Sequence, residues 1–256
     1  MKTLMKTVAG TLALGLALTA SAQERSVRIA IDTPYEPFGW QLPDGSLTGF
    51  EVELGNAVCA EMNLSCEWVI QAWDGIIPGL LSRRYDVIFS SMSITEERAR
   101  SVLFSEPYYT TPSAWFAAEG TSINPADQST LQGQRVGVQR GTIQDNYVTE
   151  LFGNVVQVRR YATADDLVAD LRGGRIDAIF LDFPVGEETI LNHEGYAAVG
   201  ERVTSPASIF GNGVGAAFRR NDTELANIFN EGLRRVKENG TYTEIREKYF
   251  DYDIML

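Results

Sequence analysis

The fold of this chain is organised around residues 88–98, which read IFSSMSITEER. An apolar run that ends at Phe89 predicts a β-strand, and Thr95 is a suitable N-cap for a helix that follows. Three hydroxyl side chains lie between the strand and the helix: Ser90, Ser91 and Ser93. Arg98 falls in the first helical turn, where the helix dipole disfavours a cation. The stretch therefore predicts either an anion site, held by Arg98 and the hydroxyls, or a solvated arginine beside a serine loop.

Strands and helices alternate on both sides of this stretch. Apolar runs predict strands at residues 27–32, 67–71 and 86–90. Helical spacing predicts an amphipathic helix at residues 49–62, a short helix with an internal proline at 74–82, and two helices at 222–239 and 241–249. Gly240 is suited to ending the first of these last two helices. Strands that alternate with helices predict an α/β fold with mostly parallel sheets.

The second half of the chain repeats the order of the first. Matching segments are residues 28–32 with 135–139, and 80–89 with 171–180. Two pairs of polar residues then follow matching strands: Ser91 with Asp182, and Asp32 with Gln139. Because ligands bind beyond the carboxyl ends of strands in open α/β sheets, we expect two similar lobes that face one shared cleft.

Two segments predict where the chain passes between these lobes. Residues 102–118 form an extended stretch that contains Pro107 and Pro112, and a second crossing is expected near residues 205–212. Two crossings predict a hinge. The expected division places residues 23–112 and 209–256 in lobe 1, and residues 113–208 in lobe 2.

The first 22 residues predict a secretory signal peptide. Lys2 and Lys6 precede a short apolar run, and residues 20–22 form a small-x-small cleavage site. Cleavage there changes the formal net charge from −12 to −14, which argues against nucleic acid and anionic lipid as partners. No later segment approaches the roughly 18 apolar residues of a membrane span. We therefore expect a periplasmic protein without a membrane anchor.

The chain contains two cysteines, Cys59 and Cys66, and one histidine, His193. An exported chain meets oxidising conditions, which favours a disulfide between the cysteines. Two cysteines and one histidine do not supply the four ligands of a structural zinc site. We therefore expect no metal and no cofactor.

Six stretches together match a known family: residues 27–38, 49–55, 73–78, 90–95, 137–144 and 240–251. On these residues the chain resembles bacterial periplasmic polar amino acid-binding proteins, the solute receptors of ABC importers. The closest likeness is to the lysine/arginine/ornithine- and histidine-binding branch, whose typical disulfide the pair Cys59 and Cys66 matches. The resemblance implies a two-lobed monomeric receptor rather than an enzyme, with an amino acid and the membrane subunits of an importer as partners.

The resemblance also assigns roles to residues that would read the amino acid backbone of a ligand. Arg98 matches the arginine that binds the α-carboxylate, and Asp182 matches the acid that binds the α-ammonium. Further polar contacts are implied for Ser90, Ser91, Ser93, and for the backbone of Thr142 and Ile143. Without the resemblance, Asp182 would be interpreted as a helix N-cap and Thr142 as a plain helix start.

A second group of residues is implied to read the ligand side chain. Tyr35 and Trp73 match an aromatic pair that sandwiches it, and Trp73 replaces a more usual Phe, which keeps or strengthens cation–π attraction. Asp32 matches the acid at the far end of the pocket, and Gln144 matches a polar contact nearby. Gln139 stands where an apolar residue is common, so a polar amide there is expected to tune ligand selection.

These residues favour a cationic amino acid but leave alternatives open. Relatives that bind uncharged polar ligands also carry an acid at the position of Asp32, so a glutamine or opine receptor is the main rival. The short connection at residues 119–134 favours a simple amino acid over an opine. A dehydratase-like enzyme on the same fold is a further alternative, although the sequence offers no nucleophile–base pair and no phosphate loop.

Overall fold

The computed structural model describes residues 25–256, so the predicted signal peptide lies outside the described residues. The strands in this range are β1 (Arg25–Ile31), β2 (Trp40–Gln41), β3 (Leu47–Thr48), β4 (Leu64–Ile70), β5 (Val87–Ile88), β6 (Val102–Phe104), β7 (Ser113–Ala118), β8 (Arg135–Gln139), β9 (Gln157–Tyr161), β10 (Ala178–Asp182), β11 (Tyr196–Val203) and β12 (Ala217–Arg219).

The α-helices in the same range are α1 (Phe50–Glu61), α2 (Ile76–Leu81), α3 (Glu96–Ala99), α4 (Ile143–Phe152), α5 (Ala164–Arg172), α6 (Phe183–Gly186), α7 (Ala207–Phe210), α8 (Thr223–Glu238) and α9 (Thr241–Tyr249). Short 3₁₀ turns form at Trp73–Gly75 and Gln128–Leu131, and a π-helical turn forms at Glu187–Leu191. No helix between residues 25 and 256 combines the length and apolar character needed to cross a membrane.

The strands form two five-stranded sheets and one small hairpin. The first sheet has the order β4-β1-β5-β12-β6, the second has the order β11-β7-β10-β8-β9, and β2 pairs with β3. In the first sheet β1 runs parallel to β4 and β5, and in the second β8 runs parallel to β9 and β10. The α/β fold class is thereby confirmed.

Each sheet is mixed, because one of its strands runs antiparallel to both of its neighbours. These strands are β12 in the first sheet and β7 in the second. Both follow a loop in which the chain passes from one sheet to the other. Parallel neighbours require a long crossover, usually a helix, and a strand that arrives through a loop is free to pair in the antiparallel sense.

The chain crosses between the sheets twice. The first crossing, residues 105–112, joins β6 to β7 and contains both predicted prolines, Pro107 and Pro112. The second crossing, residues 204–216, joins β11 to β12 and contains α7. Both crossings lie where the sequence predicts them, while the proposed lobe boundaries stay a prediction.

Helix positions follow the predicted caps. Thr95 Oγ1 accepts a hydrogen bond from the backbone N–H of Arg98, 3.3 Å away, and so caps α3. Gly240 adopts a left-handed φ of +88° between α8 and α9, a conformation that costs glycine little. Cys59 in α1 and Cys66 in β4 form the predicted disulfide.

The core beneath the first sheet holds the site-bearing strands in place. Apolar side chains of α8 recur at helical spacing and are buried, namely Leu225, Phe229, Leu233 and Val236. They belong to one cluster with Phe50 of α1 and Phe89, which follows β5. Each such side chain contributes about 1.5–3 kcal/mol through burial. The packing of Phe89 therefore fixes the position at which the loop after β5 begins.

Candidate ligand-binding site

One cavity lies between the two sheets and is lined by all of the predicted ligand-binding residues. They are Asp32, Tyr35, Trp73, Ser90, Ser91, Ser93, Arg98, Gln139, Thr142, Ile143, Gln144 and Asp182. The sequence therefore identified residues that the fold brings together. Their roles toward a ligand stay predictions.

The parallel strands aim polar side chains at this cavity from their carboxyl ends. Asp32 directly follows β1, and the serine loop, residues 90–93, follows β5. From the opposite sheet, Gln139 ends β8 and Asp182 ends β10. Carboxyl ends of parallel strands meet at one edge of a sheet, which is where α/β proteins bind ligands.

Arg98 lies in the cavity wall and is held by carbonyl groups rather than by an acid. Its Nη1 donates to the carbonyl oxygen of Ser93 at 3.1 Å, and its Nη2 approaches that of Gly141 at 3.4 Å. The guanidinium carbon lies 5.1 Å from the centre of the Trp73 ring. Burial lowers the pKa of Arg98 to about 10, so the group stays a cation at neutral pH.

Asp182 presents a buried carboxylate to the same region. Tyr35 Oη donates to its Oδ2 at 2.6 Å, and Gln144 Nε2 donates to its Oδ1 at 2.9 Å. Burial raises the pKa of Asp182 to about 6, and the positive charge of Arg98 acts in the opposite direction. Although Asp182 occupies the N-cap position of α6, its side chain makes no capping hydrogen bond. The carboxylate is therefore directed to the cavity.

We call the region of Arg98 and Asp182 the Arg98 end of the cavity. The two charges are near enough for each to shift the pKa of the other. No residue between 25 and 256 forms an ion pair with either group. A cation and an anion thus lie close together without direct pairing.

A separate network surrounds Asp32, and we call it the Asp32 end. Gln139 Nε2 donates to Asp32 Oδ2 at 2.8 Å, and the Asp32 backbone N–H donates to Ser90 Oγ at 2.8 Å. Burial raises the pKa of Asp32 to about 6, while the hydrogen bond from Gln139 lowers it. Gln139 also donates to the carbonyl of Ala162 at 3.2 Å, which fixes the orientation of its amide.

Helix α4 begins at the cavity and contributes both backbone and side-chain groups. Thr142 caps it, because its Oγ1 accepts from the Asp145 backbone N–H at 3.2 Å. The first backbone N–H groups of a helix have no partner within it, which suits them to an anion. The Ile143 side chain is buried in the apolar core of the second sheet, so only its backbone is available to a polar ligand.

The two sheets make direct contact across the cavity, which is closed in this structure. Besides the Tyr35–Asp182 and Asp32–Gln139 hydrogen bonds, Trp73 Nε1 donates to the Gly141 carbonyl at 3.1 Å. Arg140 and Asp74 form an ion pair of 3.5 Å at the rim. These contacts limit the access of water to the groups inside and so strengthen their electrostatic interactions.

Two residues near the site were missed by the sequence reasoning. Ser113 accepts a hydrogen bond from Gln144 at 2.8 Å and lies opposite Asp182 in the β7–β10 pairing. That antiparallel register has no local sequence signal. Glu51 bonds to Ser91 beneath the serine loop. Its place beside Phe50 and Leu54 on the buried face of α1 is the signal that could have revealed it.

The family model of bacterial extracellular solute-binding proteins, family 3, matches residues 27–252. An L-arginine-binding protein of Pseudomonas aeruginosa is 44% identical over 250 residues, covering 96% of each chain. A lysine/arginine/ornithine-binding periplasmic protein of Escherichia coli is 36% identical over 250 residues, covering 95% of each chain.

Solved structures show the same similarity. A Salmonella typhimurium periplasmic binding protein of high arginine specificity superposes with a TM-score of 0.82 at 27% identity. The match covers 88% of this chain and 99% of that one. The architecture of two lobes around a cleft is thus shared with periplasmic amino acid-binding proteins.

Proposed function

Because the chain belongs to the bacterial extracellular solute-binding proteins, family 3, we propose that it is a receptor for a cationic L-amino acid. The ligand class comprises arginine, lysine, ornithine and histidine. Closure of the two lobes would capture the ligand, and the closed receptor would present it to the membrane subunits of an ABC importer. The receptor would act in the periplasm as a monomer, without catalysing a reaction.

The observation that carries this proposal is the balance of charges in the cavity. Asp32, Asp182 and Arg98 line it, and none of them forms an ion pair with any residue from 25 to 256. Burying an unpaired charge is costly, so the site favours a ligand that supplies the missing partners. A cationic amino acid supplies one carboxylate and two cations, which match one guanidinium and two carboxylates.

The Arg98 end suits the amino acid backbone of the ligand. Arg98 offers a planar fork to the α-carboxylate, and the N-terminus of α4 offers backbone N–H groups. Asp182 offers its carboxylate to the α-ammonium. Hydrogen bonds to charged partners contribute about 1.5–3 kcal/mol each, so this end supplies most of the affinity for any amino acid.

The Asp32 end suits the ligand side chain. A side chain that extends between Tyr35 and Trp73 would place its terminal cation at Asp32. Aromatic faces attract such a cation, which adds about 0.5–1 kcal/mol at an exposed site and about 2 kcal/mol when the cation is desolvated. A glutamine side chain carries no charge and would leave Asp32 without a counterion. A cationic ligand is favoured for this reason.

Calorimetric titration of the exported protein tests the proposal. Separate titrations with arginine, lysine, ornithine, histidine, glutamine and the opine octopine rank the ligands at pH 7.5. We expect at least one of the four cationic amino acids to bind at least about tenfold more tightly than glutamine, equivalent to about 1.4 kcal/mol. Tightest binding of glutamine or octopine would contradict the proposed class, and turnover of arogenate or prephenate would contradict the assignment as a receptor.

A further inference from the structure

Glu51 is a buried carboxylate in the first turn of α1, with only 1% of its surface exposed. It accepts hydrogen bonds from the Ser91 backbone N–H at 2.7 Å and from Ser91 Oγ at 3.2 Å. Tyr108 Oη donates to it at 2.5 Å. Glu51 does not line the cavity, so any effect on a ligand must act through these neighbours.

Ser91 needs such support because of its backbone conformation. Its φ of +46° lies in the left-handed region, which costs a residue with a side chain about 1–3 kcal/mol. The two hydrogen bonds from Ser91 to Glu51 compensate for this cost. Ser91 lines the cavity between Ser90 and Ser93, so its φ determines how the serine loop faces the ligand.

The same carboxylate also reaches the first crossing. Tyr108 and Tyr109 are fully buried in residues 105–112, and Tyr109 Oη donates to Ser91 Oγ at 2.8 Å. Tyr109, Ser91 and Glu51 thus form a continuous chain of hydrogen bonds. Through it the serine loop is attached to a segment that joins the two sheets.

We propose that Glu51 is a positioning residue for ligand capture, which holds Ser91 in the left-handed conformation and fixes the serine loop to the first crossing. The proposal rests on the proposed function in one respect, namely that the serine loop contacts the amino acid. Without Glu51, Ser91 relaxes toward negative φ and the loop loses the shape that fits the ligand.

Glu53 provides a matched control on the same helix. Lys248 Nζ donates to it at 2.6 Å and Tyr249 Oη at 2.5 Å, so it is also a carboxylate bonded to a tyrosine. It contacts neither the serine loop nor the cavity. The Glu53→Ala variant therefore measures the purely structural effect of removing a carboxylate from α1.

The test is a set of calorimetric titrations, with L-arginine and L-glutamine as probes, at a temperature below every melting transition. We expect Glu51→Ala to weaken binding at least about tenfold. Glu51→Gln keeps an acceptor toward Ser91 and should stay within about threefold of the wild type, as should Glu53→Ala. Equal affinities of Glu51→Ala and the wild type would overturn the proposal.

A double-mutant cycle with Ser91→Gly tests whether Glu51 acts through the backbone conformation of Ser91. Glycine adopts positive φ without cost, so Ser91→Gly should improve binding in the Glu51→Ala background at least about threefold. In the wild type it should weaken binding, because the Ser91 hydroxyl that lines the cavity is lost. An equal effect in both backgrounds would overturn the proposal. If Glu51→Ala does not fold, Glu51→Asp replaces it in the cycle, because the shorter side chain withdraws the carboxylate from Ser91.

The two probes separate this inference from the proposed function. A wild type that binds glutamine and not arginine would contradict the proposed ligand class. The ratio of variant to wild-type affinity for glutamine would still test Glu51, because both ligands share the amino acid backbone.

Discussion

The two ends of the cavity hold their charges in different ways. At the Arg98 end, a cation and an acid lie close together, supported by carbonyl groups, Tyr35 and Gln144. At the Asp32 end, one acid accepts a side-chain hydrogen bond from Gln139, which comes from the opposite sheet. All amino acids share the groups that fit the first arrangement, whereas only some carry the side-chain cation that fits the second. Changes at the Arg98 end should therefore affect every ligand, and changes at the Asp32 end should alter their ranking.

The largest effect is expected at the Arg98 end. Arg98→Ala leaves the ligand carboxylate without its cation and Asp182 without a neighbouring positive charge. Removing one partner of a buried charged pair costs about 2–5 kcal/mol or more, so arginine and glutamine should both lose at least about 30-fold in affinity. Calorimetry with both ligands measures this loss. Near-normal arginine affinity in the variant would contradict the proposed site.

The pH dependence of binding should separate the two ends without any mutation. Burial raises the pKa values of Asp32 and Asp182 to about 6, and a ligand cation binds the ionised form of each. Below pH 6, protons therefore compete with the ligand. Well below it, arginine affinity should fall about 100-fold per pH unit, since two carboxylates must lose protons, and glutamine affinity about tenfold, since only Asp182 is involved.

The stability of the ligand-free protein should change with pH in the direction opposite to ligand affinity. A carboxyl whose pKa is higher in the folded state than the unfolded value of about 3.9 binds its proton more tightly when folded. The contribution of Asp32 and Asp182 is thus most favourable below about pH 4 and is lost as pH rises through 6. Denaturant unfolding of the wild type and of the Asp32→Asn variant between pH 4 and 7 measures it. A contribution that grew with pH would contradict the assigned shifts.

A more selective effect is expected from Asp32→Asn. The variant keeps the shape of the side chain and removes the charge that faces the ligand cation. Arginine should lose about 1.5–3 kcal/mol, the usual value of a charge-assisted hydrogen bond, and glutamine less than about 0.5 kcal/mol. Equal losses for the two ligands, measured in parallel titrations, would show that Asp32 is structural.

Much of this arrangement could be predicted because its signals are local. Apolar runs ending in Asp32 and Phe89 mark strands, and Thr95 and Gly240 mark helix ends at the observed positions. The repeat between the halves predicts that Asp182 and Ser91 lie at corresponding strand ends. The family resemblance then supplied roles that spacing alone left open.

The features that escaped prediction depend on distant contacts. In one sheet β7 pairs antiparallel with β10, and in the other β12 pairs antiparallel with β5. The crossings between the sheets set both pairings, and the first of them places Ser113 beside Asp182. Glu51 was missed because an acid in the first turn of a helix already has an ordinary explanation in the helix dipole. Its place on the buried face of α1, where it contacts Ser91 and Tyr108, distinguishes it from Glu53.

The smallest effect is expected from Gln139→Leu, which places an apolar residue at the Asp32 end. The hydrogen bond from Gln139 lowers the pKa of Asp32, so its loss should raise that pKa above its value of about 6. At pH 8, well above the wild-type pKa of Asp32, arginine gains an acid free of a competing amide while the closed form loses one contact between the sheets. These opposing changes should leave arginine affinity within about 1 kcal/mol of the wild type.

The pH at which arginine binding begins to weaken should instead move upward, whereas the pH profile for glutamine binding should stay unchanged because Asp182 keeps its partners. A shift in both profiles would show that the two ends of the cavity are coupled.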